Sequence, residues 1–336
     1  MKKLSILFLL LSTLLFANGV KPVMLYDTKE IFDKSWNEAI HKGIKKFEKR
    51  VNIKVEEASV LNIKEFRDKI NYYTKNGYNP IMFNNLYQEK EEVIKKMILE
   101  YPKTRFIVFN GRFNIPNVHY FIFSNQESSF LAGYLASKQS KTKKLGFVGG
   151  MDIPLIRNFL CGYIKGAKYQ NKNTKILYDF VGDDFSNAWN NKKAAFDLSS
   201  KQIKDGADII FSPTGGSSLG ALKAAHEKKV LGIGVDSNQN NIYPGSVLTS
   251  TMVRVDNAAF RSLMAAKRDI WGEQMKVMGL QENGVQLAFD KHNETLISKE
   301  LRNELEHIKA DIILKKIPLD DYTFTNTCKI ENKVLF

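Results

Sequence analysis

Two short apolar runs, one followed by a glycine turn and one by an aspartate, constrain the fold of this chain most strongly. Ala207–Ser212 precedes Gly215 and Gly216, and Leu231–Val235 precedes Asp236. The residues between the two runs have apolar side chains at helical spacing. This pattern predicts an open α/β sheet, which binds small molecules at the carboxyl ends of its strands. Asp236 is then either a ligand contact or a turn or helix-cap residue.

The same alternation of strand and helix patterns runs along most of the chain. The other predicted strands are Val23–Tyr26, Val51–Val55, Pro80–Phe83, Arg105–Phe109, Leu145–Val148, Ile176–Val181 and Gly284–Phe289. Amphipathic helical patterns separate most of these runs. Repeated strand and helix units predict parallel sheets with helices on both faces, so the fold class is doubly wound α/β.

The length predicts two lobes. The chain has 336 residues, more than the roughly 250 to 300 at which one hydrophobic core stops growing. We expect a first lobe formed by residues 18–140 and 252–290 and a second formed by 141–251 and 291–336. The expected hinge segments are Ser140–Lys144 and Ser250–Val253. Two such lobes form a central ligand cleft that closes by hinge bending.

The amino terminus has the pattern of a secretory signal peptide. Lys2 and Lys3 precede the apolar run Leu4–Phe16, and the small residue Ala17 follows. The run is too short to span a bilayer, and Ala17 fits the position before a cleavage site. We expect cleavage after residue 17. Because no cysteine lies near that point, we expect a soluble, exported protein rather than a lipoprotein.

The charged residues do not indicate a nucleic-acid partner. The formal net charge is +14, but the lysines are spread over every predicted helix. Few aromatic residues lie among them to stack on bases. We therefore expect solvated helix faces and no nucleic-acid binding.

Residue types that form metal and catalytic sites are not clustered in the sequence. The five histidines occur singly, without the close pairing of a zinc site, so no metal is expected. There is no phosphate loop ending in Gly, Lys and Ser or Thr, and no histidine adjoins a likely nucleophile in the sequence, so no catalytic residues and no cofactor are predicted. Whether Cys161 and Cys328 form a disulfide is left open, because sequence does not show whether they meet in space.

Two tryptophans lie at predicted strand-to-helix turns, one in each lobe. Ser35 followed by Glu38 matches a capping box, which places Trp36 and Asn37 in the first turn of a helix. Trp189 has a matching place in the second lobe. The two indoles can hold a planar ring between them. The alternative is that Trp36 packs in the core or as a hydrophobic staple.

Several motifs in order resemble those of one known family. They are DKSWNEAIHKG at 33–43, NQESSFLAGYLA at 125–136, LGFVGGMDIPLIRNFLCGYIKGA at 145–167, GADIIFSPTGG at 206–216, IGVDSNQ at 233–239 and PGSVLTS at 244–250. The chain resembles the basic membrane protein family of ABC-transporter solute-binding proteins, which includes purine nucleoside receptors. The resemblance implies a type I periplasmic binding protein fold, with two Rossmann-like lobes, three crossovers and one ligand in the cleft.

The resemblance also implies a set of ligand-binding positions. The aromatic clamp on the purine ring falls on Trp36 and Trp189, and the remaining contacts fall on Asp27, Asn37, Asp236, Gly215 and Gly216. Two positions depart from the family pattern. Asn110 replaces an acidic residue that reads the purine edge, and Val253, beside Arg254, replaces a lysine that reaches the sugar. Asparagine both donates and accepts hydrogen bonds, so the base preference stays open.

The expected function is therefore that of a monomeric periplasmic receptor that delivers a purine nucleoside, its base or a related planar heterocycle to an ABC permease. Losing the family's lysine favours a free base, a deoxy sugar or a smaller aromatic ligand. A ligand-sensing subunit for a membrane signalling protein and an exported hydrolase are the alternatives.

Overall fold

Two six-stranded sheets form the framework of the molecule. In the computed structural model, residues 20–84, 90–271, 275–330 and 333–334 are described. The predicted signal peptide, residues 1–17, lies outside the described residues. Each sheet belongs to one lobe, and the two lobes enclose a cavity.

The sheet of the first lobe is entirely parallel. Its strands are β1 (Val23–Tyr26), β2 (Glu56–Ser59), β3 (Ile81–Asn84), β4 (Phe106–Phe109), β5 (Val118–Phe123) and β11 (Met275–Met278), in the order β11-β5-β4-β3-β1-β2. Alternate side chains along β1 enter different cores. Leu25 packs with Phe83 on one face, whereas Met24 and Tyr26 pack on the other. Both faces are therefore buried, as a doubly wound fold requires.

The sheet of the second lobe repeats this arrangement with one antiparallel edge strand. Its strands are β6 (Lys144–Gly149), β7 (Lys175–Phe180), β8 (Ile209–Phe211), β9 (Leu231–Asp236), β10 (Val247–Val253) and β12 (Val285–Leu287), in the order β12-β10-β9-β8-β6-β7. Only the pairing of β10 with β12 is antiparallel among these described strands. A short hairpin of β13 (Lys329–Ile330) and β14 (Lys333–Val334) forms a separate sheet.

Helices cover both sheets. They are α1 (Trp36–Val51), α2 (Ile63–Lys75), α3 (Glu91–Leu99), α4 (Asn125–Gln139), α5 (Pro154–Gln170), α6 (Phe185–Ala188), α7 (Lys192–Lys204), α8 (Ser218–Glu227), α9 (Val255–Lys267), α10 (Lys299–Ile313) and α11 (Tyr322–Thr325). None of those in the described part of the chain is long and apolar enough to cross a membrane.

The chain passes between the lobes three times. It leaves β5 for α4 at Ser124, leaves β10 for α9 at Arg254, and returns from β11 to β12. The first crossing differs from the predicted hinge at Ser140–Lys144, because α4 packs against α5, β10 and β12 of the second lobe. Nearly every side chain of α4 is buried. Its sequence therefore has no polar face that would indicate which sheet it covers.

The predicted strand Val51–Val55 is wrong in position. Val51 is the last residue of α1, which ends at Asn52 in a left-handed conformation, with φ of 55°. The strand follows at Glu56–Ser59 and forms the edge of its sheet. An edge strand is covered less than a central one, so its mostly polar sequence gave no apolar run to identify it.

The two cysteines form a disulfide. Cys161 in α5 is bonded to Cys328, and their Cα atoms are 5.6 Å apart. Tyr322 packs against the pair in a small buried cluster. The bond fastens the carboxy-terminal segment that contains α11 to a central helix of the second lobe, and so settles a point that the sequence left open.

Candidate ligand-binding site

All eight predicted site residues line a single cavity between the lobes. Its volume is about 420 Å³, within the range of roughly 300 to 1,000 Å³ typical of small-molecule sites. The first lobe contributes Asp27, Trp36, Asn37 and Asn110, and the second contributes Trp189, Gly215, Gly216 and Asp236. The structure thus brings together residues that lie more than 200 positions apart in the sequence.

Sheet topology explains why these residues meet. Asp27 directly follows β1, Asn110 directly follows β4, and Asp236 is the last residue of β9. The carboxyl ends of parallel strands lie at one edge of a sheet, and in this molecule both edges face the cavity. Asn110 and Asp236 have left-handed backbones, with φ of 60° and 62°, as the chain turns out of each strand.

The first turn of α1 is fixed by Asp33 and not by the predicted capping box. The Asp33 carboxylate accepts hydrogen bonds from the backbone amides of Ser35, Asn37 and Glu38 at 2.8 to 3.1 Å. It also accepts one from the Asn37 side chain, at 3.0 Å. The Ser35 hydroxyl makes no cap bond. An aspartate two residues earlier satisfies the free amides at the helix start, which leaves Ser35 available for another contact.

Ser35 joins the two lobes instead. Its hydroxyl donates to Asp236 Oδ2 at 2.5 Å. The Ser237 hydroxyl donates to the Ser35 carbonyl, and Gln239 Nε2 donates to the Lys34 carbonyl, both at 3.0 Å. These bonds run from the loop before α1 to the residues at and after the end of β9, so the structure is that of a closed cleft.

Trp36 is held by a polar network that the sequence did not reveal. Its Nε1 donates to Asn84 Oδ1 at 3.0 Å, and Asn84 Nδ2 lies 3.2 Å from Asn37 Oδ1 and 3.4 Å from Asp27 Oδ1. The indole also packs edge-on against Phe123, with ring centroids 5.6 Å apart. Asn84, at the end of β3, therefore orients three predicted site residues without lining the cavity itself.

Trp189 lies against glycine backbone. A Cβ atom at Gly150 would be 2.3 Å from the indole ring, and one at Gly215 would be 3.8 Å from it. Gly215 also has a φ of 56°, a conformation that side chains disfavour. The Trp189 carbonyl accepts a hydrogen bond from the Ser217 amide at 3.1 Å. The glycine turn after β8 thus lets the indole reach the cavity wall.

Buried carboxyl groups give the cavity its electrostatic character. Burial, with a smaller contribution from the nearby Asp33 carboxylate, raises the pKa of Asp27 and that of Asp236 to about 7. Burial also raises the pKa of Asp33. Asp27 is only 6% exposed, and its Oδ2 atom has no hydrogen-bond partner among the described residues. An unmatched buried oxygen favours a ligand that donates a hydrogen bond to it.

Asn125 is a further cavity residue that the sequence did not indicate. It is buried at the start of α4, and its Oδ1 atom also lacks a hydrogen-bond partner in the described part of the chain. Leu155, Ile156 and Phe159 of α5 form an apolar wall of the same cavity. Asn125 follows β5, a strand that was not predicted. Recognising that strand would have placed Asn125 at the ligand-facing edge.

The two positions that depart from the family pattern have different environments. Asn110 lines the cavity, whereas Val253 is buried in the hydrophobic core. Arg254 makes a bidentate pair with Asp256, with both contacts at 2.9 Å. Neither Val253 nor Arg254 lines the cavity. Among the described residues, no group of three or more His, Cys, Asp or Glu side chains is placed to hold a metal ion.

Comparison of the sequence with known proteins agrees with this geometry. The family described as ABC transporter substrate-binding protein PnrA-like matches residues 20–323. Basic membrane protein D of Borreliella burgdorferi (strain JD1) is 30% identical over 309 residues, which cover 88% of this chain and 86% of that protein. Basic membrane protein A of Borreliella afzelii is 29% identical over 89% of this chain and 91% of its own length.

Solved structures share the fold. An ABC transporter solute-binding protein from Aeropyrum pernix K1 matches 92% of this chain and 96% of its own, with a TM-score of 0.81 and 19% identity. One from Conexibacter woesei DSM 14684 matches 90% and 99%, with a TM-score of 0.71 and 16% identity. The fold is therefore that of the type I periplasmic solute-binding proteins. The chain belongs to the PnrA-like family of ABC transporter substrate-binding proteins, a family of solute-binding proteins and not of enzymes.

Proposed function

We propose that this protein is the receptor of an ABC transporter for a purine nucleoside, its base or a related planar heterocycle. The observation that carries the proposal is the pairing of Trp36 and Trp189, which come from opposite lobes and line one closed cavity. Stacking on an indole recognises a planar ring whatever its substituents. Closure of the lobes brings both indoles to the ligand at once.

Polar groups around the indoles suit a ligand that carries hydrogen-bond donors. Asp27 and Asp236 accept hydrogen bonds from hydroxyl or amino groups when they are ionised. Asn110 both donates and accepts at the position where the family pattern has an acidic residue. Because the sugar-reaching lysine is replaced by the buried Val253, a free base, a deoxynucleoside or a smaller aromatic ring fits this cavity better than a ribonucleoside does.

The protein acts outside the cytoplasm in this proposal. Residues 1–17 direct its export and are removed, and the monomeric receptor delivers its ligand from the periplasm to a membrane permease. The mass of the exported protein tests this part of the proposal. A mature chain that begins at Asn18 is expected, and retention of residues 1–17 or attachment of a lipid would contradict it.

A thermal-shift screen tests the ligand class. The protein is first unfolded and refolded to remove bound solute, then exposed to nucleosides, deoxynucleosides, free purines, pyrimidines, sugars and amino acids. Because a ligand that binds only the native state raises the midpoint by mass action, the largest shift is expected with a purine base or a deoxynucleoside. A shift with a sugar or an amino acid and with no purine would overturn the ligand class but not the family.

A further inference from the structure

A second concave surface lies on the first lobe, away from the ligand cavity. It is a groove of about 720 Å³ between the later turns of α1 and α9. Five cationic side chains line it: Lys46, Lys49, Arg50, Arg261 and Arg268. All five are exposed to solvent. No residue of the ligand cavity takes part in this groove.

The positive charge of the groove is not balanced by neighbouring acids. None of the five cations forms an ion pair with another described residue. The adjacent acidic residues are engaged elsewhere. Glu48 pairs with Lys45, and Asp269 pairs with Arg105. The groove therefore presents a concentrated positive field, which attracts anionic groups.

Apolar side chains lie among these cations. Phe260 and Met264 line the groove half-buried, and Ile270 is 57% exposed. Lys46 Nζ lies 4.6 Å from the centre of the Phe260 ring. Cations interleaved with exposed apolar side chains are typical of surfaces that rest in the headgroup region of a membrane. The exposed apolar Ile270 beside the cations favours a membrane surface over a partner recognised by charge alone.

The groove is far from the opening of the cavity. Helix α1 begins at the cavity wall with Trp36 and has 16 residues, so it extends about 24 Å away from that wall. Lys46, Lys49 and Arg50 lie in its second half. Helix α9 likewise begins at the crossing beside Arg254 and carries its groove residues toward its later turns. A surface bound at this end leaves the cavity uncovered.

We propose that this groove docks the first lobe onto an anionic phospholipid surface. The cations contact the phosphate groups of the lipids, and the exposed Ile270 enters the boundary between headgroups and acyl chains. Phe260 and Met264 pack against the hydrophobic core and form the apolar lining of the groove. Docking in this way holds the receptor at the membrane while the cavity stays open to solute. The interaction is reversible and weakens as salt is added, because salt screens the charges that create it.

Co-sedimentation with vesicles tests the proposal. The exported protein is mixed with vesicles of phosphatidylethanolamine and phosphatidylglycerol, and with vesicles of phosphatidylcholine alone. The groove variant carries Lys46→Glu, Lys49→Glu, Arg261→Glu and Arg268→Glu. The matched control carries Lys141→Glu, Lys228→Glu, Lys291→Glu and Lys299→Glu, four exposed lysines outside the groove that form no ion pair with any described residue. Both variants have the same net charge, and thermal unfolding verifies that both are folded.

Wild type is expected to bind the anionic vesicles and not those of phosphatidylcholine alone. The groove variant is expected to bind the anionic vesicles at least about 100-fold more weakly, since each cation near an anionic surface contributes severalfold to the affinity. The affinity of the control variant for the anionic vesicles is expected to stay within about threefold of that of wild type. Equal losses of vesicle affinity in both variants would show that binding depends on net charge and not on the groove, which would overturn the proposal. Absence of wild-type binding to anionic vesicles would overturn it as well.

A second pair of variants separates a membrane from an acidic protein partner. Ile270→Ser is expected to weaken vesicle binding by about threefold to tenfold, because an exposed apolar side chain no longer enters the bilayer boundary. Leu314→Ser, at a comparably exposed apolar residue of the second lobe, is the control and is expected to have no effect. If Ile270→Ser has no effect and soluble polyglutamate displaces the protein from the vesicles, the groove recognises an acidic polypeptide and the proposal is wrong.

Discussion

Two buried aspartates determine how the cavity responds to pH. Asp27 and Asp236 lie on opposite lobes, and each has a pKa of about 7 because burial disfavours the charged carboxylate. Both groups therefore change charge close to neutral pH. Hydrogen bonds donated by a ligand favour the ionised form. Ligand binding and deprotonation of these groups should accordingly be coupled.

The raised pKa values predict a pH dependence of stability in the ligand-free protein. An unfolded aspartate has a pKa of about 3.9, so between roughly pH 4 and pH 7 the folded state holds protons that the unfolded state has released. The contribution of these groups to the free energy of unfolding is complete below that range and is lost as the pH rises through 7. Denaturant unfolding of wild type and of Asp27→Asn across this range is the measurement. A smaller slope is expected in the variant.

The control for this experiment is Asp68→Asn, which removes an exposed carboxylate paired with Lys64 on the surface of α2. Its pH profile is expected to run parallel to that of wild type. If the Asp27→Asn profile is also parallel to wild type, Asp27 does not have a raised pKa in the folded protein.

The sequence predicted the cavity residues that directly end or follow a recognised strand. Asp27, Asn110 and Asp236 are of this kind, because an apolar run reveals both the strand and its end. Asn84 and Asn125 were missed for different reasons. Asn84 is the last residue of β3 but was not recognised as polar support for Trp36, and Asn125 follows the unpredicted β5. Whether the predicted residues contact a ligand stays a prediction.

The start of α1 combines a helix cap with a contact between the lobes. The sequence pattern of Ser35 and Glu38 fits a capping box, yet Asp33 accepts the amide hydrogen bonds and Ser35 reaches Asp236 instead. Local spacing cannot distinguish these arrangements, because the second lobe that supplies Asp236 is about 200 residues away in the sequence. The edge strand β2 was predicted in the wrong position, because its mostly polar sequence lacks the apolar run that marks a buried strand.

Removing the Ser35 hydroxyl should weaken closure without unfolding the protein. Ser35→Ala deletes the bond to Asp236, and Asp236 then loses the donor that favours its ionised form. We expect a loss of about tenfold to hundredfold in ligand affinity, since a hydrogen bond to a charged group contributes roughly 1.5 to 3 kcal/mol and each 1.4 kcal/mol is about tenfold in affinity. Titration calorimetry with the ligand found by the screen provides the measurement.

Ser298→Ala is the matched control for Ser35→Ala. The Ser298 hydroxyl caps α10 by accepting a hydrogen bond from the Leu301 amide at 3.2 Å, within the second lobe. Its removal should lower the free energy of unfolding by about 1 kcal/mol and leave the affinity unchanged. Equal affinities for Ser35→Ala and wild type would show that the hydroxyl does not contribute to the bound, closed state.

The molecule as a whole depends on segments that cross between two independently built sheets. Alternating patterns predicted both sheets, because each repeats the same strand and helix unit. The first crossing was predicted at the wrong residues because α4 is buried on nearly every side. A helix without a polar face does not show which sheet it covers. The disulfide joins positions separated by 167 residues, a pairing that spacing does not reveal.

The disulfide should make stability sensitive to reduction. It closes a long loop and limits the unfolded chain, so its removal is expected to lower the free energy of unfolding by about 2 to 4 kcal/mol. Thermal unfolding of wild type with and without reductant is compared with that of the double variant Cys161→Ser and Cys328→Ser. Wild type should respond to reductant and the variant should not. A wild-type midpoint that is the same with and without reductant would show that the bond adds no stability.

The clamp formed by the two lobes is tested by calorimetry on tryptophan variants. Trp36→Ala and Trp189→Ala each remove one wall of the cavity, whereas Trp271→Ala removes an indole that stacks on His119 and does not line the cavity. We predict that each cavity variant binds the best ligand of the screen at least about tenfold more weakly than wild type does, and that Trp271→Ala binds it normally. Unchanged affinity in both folded cavity variants would contradict the clamp.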